Sequence, residues 1–146
     1  MSAVRVQVTR LPGSADLPLP EPATSGAAGL DLRACLASAL TIAPGTRALV
    51  PTGIAVALPH GYEAQVRPRS GLALRTGLTL LNSPVTVDAD YRGAIQVLVV
   101  KEGQTRVVLE RGDRIAQLVV QPVPGVEWEE VEALPVSARG AGGFGH

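Results

Sequence analysis

The chain has 146 residues, enough for one domain with a real core, and its formal net charge is zero. A neutral balance argues against wholesale attraction to nucleic acid or a membrane surface. No apolar run approaches the roughly 20 residues of a transmembrane helix, and the N-terminus lacks a signal-peptide pattern. The single Cys35 excludes an internal disulfide framework and fits a reducing cytoplasm. The basic side is unusual in kind, twelve Arg to one Lys. Arg forks grip phosphate in bidentate fashion, but genomic base composition also shifts Lys to Arg and accounts for most of the twelve.

In chain order, residues 4–9 alternate with period two, which predicts a half-buried strand. Residues 11–24 hold four prolines and read as an extended loop. Residues 29–34 alternate again, with Leu30 and Leu32 on one face and Asp31 and Arg33 on the other. Strands are expected at 46–50 and 54–58, on either side of Thr52-Gly53, and at 62–67 after a Pro59-His60-Gly61 turn. Residues 70–76 are the one stretch suited to a short helical turn. Apolar runs at 78–81 and 94–100 flank Ser83-Pro84 and the polar corner Asp88-Ala89-Asp90-Tyr91-Arg92-Gly93, and predict a tight β-hairpin followed by a turn. Further strands are expected at 105–109, 115–120 and around 126–131. Short, evenly spaced strands with almost no helix signal imply an all-β barrel or double-sheet sandwich. Residues 137–146 are a flexible arm by composition, leaving 1–136 as the folded domain.

Chemistry-bearing residues concentrate in five stretches. The central one gathers an amide (Asn82), two carboxylates (Asp88, Asp90), an aromatic ring (Tyr91) and a guanidinium (Arg92). A solvated turn uses similar residues, yet the chain has only four aromatics, and core filling poorly explains a tyrosine in a polar corner. Residues 28–34 put Asp31 and Arg33 on the polar face of a strand, which an ordinary exposed face would also show. Residues 67–73 place two Arg, Ser70 and the free N–H groups of a helix start together, either as an anion cradle or as a simple Ser N-cap. Residues 112–118 turn into an apolar strand interrupted by Gln117, which in isolation reads as an outward residue. Residues 139–145 set Arg139 and Phe144 among four glycines, as a closing lid or a disordered end.

Together, in this order and spacing, the five stretches resemble the motifs of the homotrimeric dUTPase family, the deoxyuridine triphosphate nucleotidohydrolases, over residues 28–146. The resemblance implies a jelly-roll-like distorted β-barrel with one short helix, assembled as a homotrimer. It implies Mg²⁺-dependent hydrolysis of dUTP to dUMP and pyrophosphate, which keeps uracil out of DNA and supplies dUMP for thymidylate synthesis. Two chains would form the body of each site, and the third would lend its tail.

The same resemblance implies the residue roles. Asn82 would match the uracil edge, and Tyr91 would pack beneath the deoxyribose and exclude a 2′-hydroxyl. Asp88 would be the general base for the water attacking the α-phosphorus. Arg69, Ser70, Gly71 and Gln117 would hold the triphosphate, with Arg139 closing over its terminal phosphate like an arginine finger. Phe144 would cover the base, and Asp31 would position Mg²⁺ through water. Two departures stand out. Val85 occupies a position where the family commonly has Gly, so its side chain must point away from the base. The family's tail often continues with Ser or Thr and Gly where this chain has His146, and a phosphate contact from that extension is expected to be missing. A deoxycytidine triphosphate deaminase shares the fold, but Tyr91 and the Phe-bearing glycine tail favour the hydrolase. A trimeric binding module without activity is disfavoured by the joint presence of Asp31, Ser70, Asp88, Gln117 and Arg139.

Overall fold

The period-two alternation resolves into ten strands and one short helix in this structure, a computed structural model that describes residues 2–145. In chain order these are β1 (Gln7–Arg10), β2 (Leu30–Arg33), β3 (Leu40–Ile42), β4 (Arg47–Ala57), β5 (Tyr62–Arg67), α1 (Ser70–Thr76), β6 (Leu78–Leu80), β7 (Val85–Val87), β8 (Ala94–Lys101), β9 (Val107–Leu109) and β10 (Arg114–Pro122). One four-stranded sheet has the order β1-β4-β8-β6, a second β2-β10-β5-β7, and β3 pairs with β9. All pairings are antiparallel. The jelly-roll-like all-β expectation holds, in the form of open sheets rather than a closed barrel.

Both sheets feed a single core. Along β8, Ile95, Val97, Val99 and Lys101 are buried while the residues between them face outward. Leu32, Ala64, Val66, Ala116 and Leu118 come to the same cluster from the other sheet. Lys101, the chain's one lysine, is 2% exposed, and its ammonium donates a hydrogen bond to the Glu102 carbonyl, as a buried donor must.

Four expectations are corrected. Thr52-Gly53 does not separate two strands: β4 runs through it, with a register shift against β8 between Pro51 and Ala55. Gly53 sits at φ +78, and the buried Thr52 hydroxyl donates to the Ile95 carbonyl at 2.5 Å, so the irregularity is a bulge, which glycine makes cheap. The central stretch is not a tight hairpin. Strand β6 pairs with β8, whereas β7 crosses to the other sheet and pairs with β5, so the chain between the two apolar runs bridges the sheets. The strand expected near 126–131 is absent: residues 123–131 have no strand pairing and are exposed, because the chain runs out of the sheet after Pro122 at the end of β10. Finally, β1 starts later than the alternation suggested and all four of its residues are exposed, as an edge strand whose flank is uncovered. The short β3 had no clear pattern in the sequence.

Candidate active site

Strand register assembles the first half of the site. Asp31 on β2, Gln117 on β10 and Arg67 on β5 are Cα partners in one row across the sheet. The chain leaving β5 passes Pro68 and enters α1 at Ser70, so Arg69 lands beside that row. The Asp31 carboxylate, with an 11% exposed side chain, lies 3.4 Å from Arg69 Nε and 3.5 Å from Arg114 Nη1. Arg69 Nη1 also donates to the Arg114 carbonyl at 3.4 Å. The Gln117 amide donates to the Pro68 carbonyl at 2.9 Å, and a Cβ on Gly29 would fall 2.1 Å from Gln117 Oε1. Gln117 is therefore laid flat over a glycine and tied to the turn that carries Arg69.

Helix α1 is capped by Arg69 with no side-chain hydrogen bond, so Ser70 is the first helical residue and not the N-cap. Its hydroxyl is on an exposed residue, directly beside half-buried Arg69 and Gly71. Arg114 was the residue passed over in the sequence. Its signal is its place in the 112–118 stretch, but only the β2–β10 pairing shows that it faces Asp31.

The second half lies on β7 and the turn after it. A cleft of about 300 Å³ is lined by Val85, Thr86, Val87, Asp88, Tyr91 and Gln96 among others. That is the lower end of ligand pockets, about 300–1,000 Å³, and suits a nucleoside better than a whole triphosphate nucleotide. Tyr91 N–H bonds the Asp88 carbonyl at 3.2 Å, and its hydroxyl donates to the Ala94 carbonyl at 2.9 Å, holding the ring at the cleft edge. Asp88 and Asn82 are exposed. Val85 shares the inward face of β7 with buried Val87 and packs against the core, while also lining the cleft.

The two halves do not meet within one chain. Val87 pairs with Ala64 and Val85 with Val66, so Asp88 stands at the Tyr62 end of β5, whereas Arg69 and Ser70 lie beyond its Arg67 end. A second cleft groups Asp88 with His60 and Glu63 at that same end. At about 3.3 Å per strand residue, the separation is on the order of 15–20 Å. Arg139 and Phe144 join neither half: Arg139 Nε donates to Gly142 O at 2.6 Å within the arm, and Phe144 is fully exposed.

Among the described residues, no group of three or more His, Cys, Asp or Glu side chains could cage a metal ion. One carboxylate beside two guanidinium groups fits Mg²⁺ carried mainly by substrate oxygens and water.

An all-β double sheet with an arginine-rich cluster beside a helix start and a separate nucleoside-sized cleft has the architecture of a nucleotide-handling enzyme of the jelly-roll class. The dUTPase family model matches residues 15–146. A deoxyuridine 5′-triphosphate nucleotidohydrolase of Anaplasma marginale (strain St. Maries) is 51% identical over 142 residues, 97% of each chain. Among solved structures, a point mutant of the phage 80alpha dUTPase is similar with a TM-score of 0.85 at 26% identity, covering 97% of both chains. The Staphylococcus bacteriophage 80alpha dUTPase with dUPNHPP gives 0.83 at 27% identity, covering 97% of this chain and 96% of that one. The chain belongs to the dUTPase family, and its activity is that of a dUTP diphosphatase.

Proposed function

We propose that dUTP is hydrolysed to dUMP and pyrophosphate in a site shared between chains of a homotrimer, with Asp88 from one chain and Arg69, Ser70, Gly71 and Gln117 from another. The observation that carries this is the placement of these groups at opposite ends of β5. A general base must reach its water, and the water the α-phosphorus, within hydrogen-bonding distance, so a gap on the order of 15–20 Å inside one chain cannot hold one triphosphate. A second chain closes it.

Asp88 accepts the proton of the attacking water while its exposed position leaves room for that water. Asn82 offers its amide to the uracil edge, and Tyr91 lies beneath the sugar, where a 2′-hydroxyl has no space. Arg69, oriented by Asp31, and the Gln117 amide stabilise the charge spreading over the phosphate oxygens as the bond to pyrophosphate breaks. Mg²⁺ bound to the triphosphate would neutralise further charge and fix its shape, with Asp31 in reach through water. The arm, residues 137–146, then brings Arg139 to the terminal phosphate and Phe144 over the base, while residues 1–136 form the catalytic body. Supplying dUMP for thymidylate synthesis and keeping uracil out of DNA follow from that product and substrate. The free Cys35 fits action in the reducing cytoplasm.

Association is supported by apolar surface that a lone chain leaves in water. Val126, Trp128, Val131, Leu134 and Val136 are exposed in the segment leaving β10. A groove of about 420 Å³ lined by Val4, Val6, Val8, Leu30, Val56 and Val120 among others is open on the body. The deciding assay couples pyrophosphatase to phosphate detection and compares dUTP with dCTP, dTTP and UTP, each with Mg²⁺ and with excess chelator. Preference for dUTP that is lost with the chelator is expected; no phosphate signal from dUTP, or turnover of all four alike, would reject the assignment.

A further inference from the structure

We propose that Gly93 is the seat of the Tyr91 ring, and through it a determinant of the choice between deoxyribose and ribose. This rests on the reading of Tyr91 as the ring beneath the sugar. A Cβ built on Gly93 would lie 2.3 Å from the Tyr91 hydroxyl oxygen, 2.6 Å from Cζ and 2.9 Å from Cε1. Real Cβ atoms essentially never approach within 3.0 Å of such atoms. The hydroxyl donates to the carbonyl of Ala94, so the phenol spans residue 93 and is fastened on its far side. With Tyr91 46% exposed, the ring is held by the glycine from below and leaves its other side toward the cleft.

Gly93 is not needed for backbone freedom. It is absent from the glycines with positive φ, among them Gly77 and Gly112, so an L-residue could adopt its conformation. The atoms nearest to a side chain there are those of the ring. Bringing the hydroxyl oxygen from 2.3 Å out to the 3.0 Å floor means moving it at least 0.7 Å, the difference of the two. The ring lines the cleft, so displacing it changes the cleft's wall. Gly93 is thus a positioning residue that acts through Tyr91, and alanine there displaces the ring.

The test is a double-mutant cycle on full-length protein, reading kcat and KM for dUTP and for UTP. Gly93→Ala should lower kcat/KM for dUTP by about 10- to 100-fold, the scale of a near-ångström misplacement, chiefly through KM, and should shift the dUTP/UTP ratio. Tyr91→Ala should shift that ratio as well, and adding Gly93→Ala to it should change nothing further. If Gly93→Ala alone does not fold, the double variant, which lacks the ring, should fold and behave like Tyr91→Ala. Equal losses in both backgrounds, an unfolded double variant, or a normal ratio in Gly93→Ala while Tyr91→Ala shifts it, would each overturn the seat. An unchanged ratio in Tyr91→Ala would instead sink the sugar-ring reading itself, and the specificity role of Gly93 with it.

Discussion

The Asp31 carboxylate sits 3.4 Å from Arg69 Nε, binding the strand of the first motif to the turn that starts α1. With Arg114 on its other oxygen at 3.5 Å, it separates two guanidinium groups that would otherwise repel. The pair therefore orients Arg69, the arginine proposed to grip phosphate, before any nucleotide arrives. Asp31→Asn should fold and lose about 10- to 100-fold in kcat/KM, the range typical of outer-shell partners. Raising Mg²⁺ should not restore the loss, because Arg69 stays unheld. Full recovery at high Mg²⁺ would reduce Asp31 to metal positioning alone.

The proposed sharing of the site between chains predicts complementation. Arg69→Ala and Asp88→Asn should each be nearly inactive as pure proteins. Co-refolded at equal amounts, they should form mixed trimers in which roughly a quarter of sites carry both intact halves, under random assembly with heterologous contacts. Light scattering should give a trimer mass. A monomer mass, or a mixture no more active than its components, would place the whole site in one chain.

Asp88→Asn keeps the shape of the side chain and removes its basicity. Turnover should fall by about 10²–10⁴, with nucleotide affinity little changed. Near-normal turnover would hand the proton to another group.

The arm makes a separate prediction. Gly142 N–H bonds the Arg139 carbonyl at 3.3 Å while Arg139 Nε bonds back to Gly142, so the guanidinium is curled onto its own turn. It must be released to reach a phosphate, and ordering a glycine-rich segment costs entropy that the phosphate and base contacts have to offset. Removing residues 138–146 should leave the fold intact and lower turnover by about 10³–10⁵, the range of arginine fingers. Cleavage near Arg139 by protease should be suppressed by a non-hydrolysable dUTP analogue. A truncated protein as fast as the full chain would make the arm a passive end.

Away from the site, Arg111 reaches across to the loops on either side of β2. Its guanidinium donates to the Gly13 and Leu36 carbonyls and to the Asp16 carboxylate. The hydrogen bond from Arg111 holds the Asp16 carboxyl below its ordinary value of 3.8. A depressed carboxyl adds stability that is complete above the unfolded value and disappears as pH falls through the folded one. Asp16→Asn should therefore melt below the parent at pH 7, and the gap should close as pH drops beneath about 3.8, towards and through the lower folded value. A gap independent of pH would show that the charge is not what matters.

Local order was legible in the residues themselves. Strand β5 and helix α1 appear where alternation and the Arg67–Ser70 turn place them, because period-two burial and a helix ended by left-handed Gly77 are properties of short segments. The residues of the five stretches could likewise be named from chemistry and spacing. What the sequence could not determine was which edges pair. Whether residues 78–100 close on themselves or bridge two sheets depends on β7 finding β5, a contact between strands whose own composition suits either partner. The same pairing sends Asp88 to one end of β5 and Arg69 to the other. Likewise, nothing local marks Arg114 as the partner of Asp31. That relation is a distance between side chains 83 residues apart, and it exists only once β2 and β10 have paired.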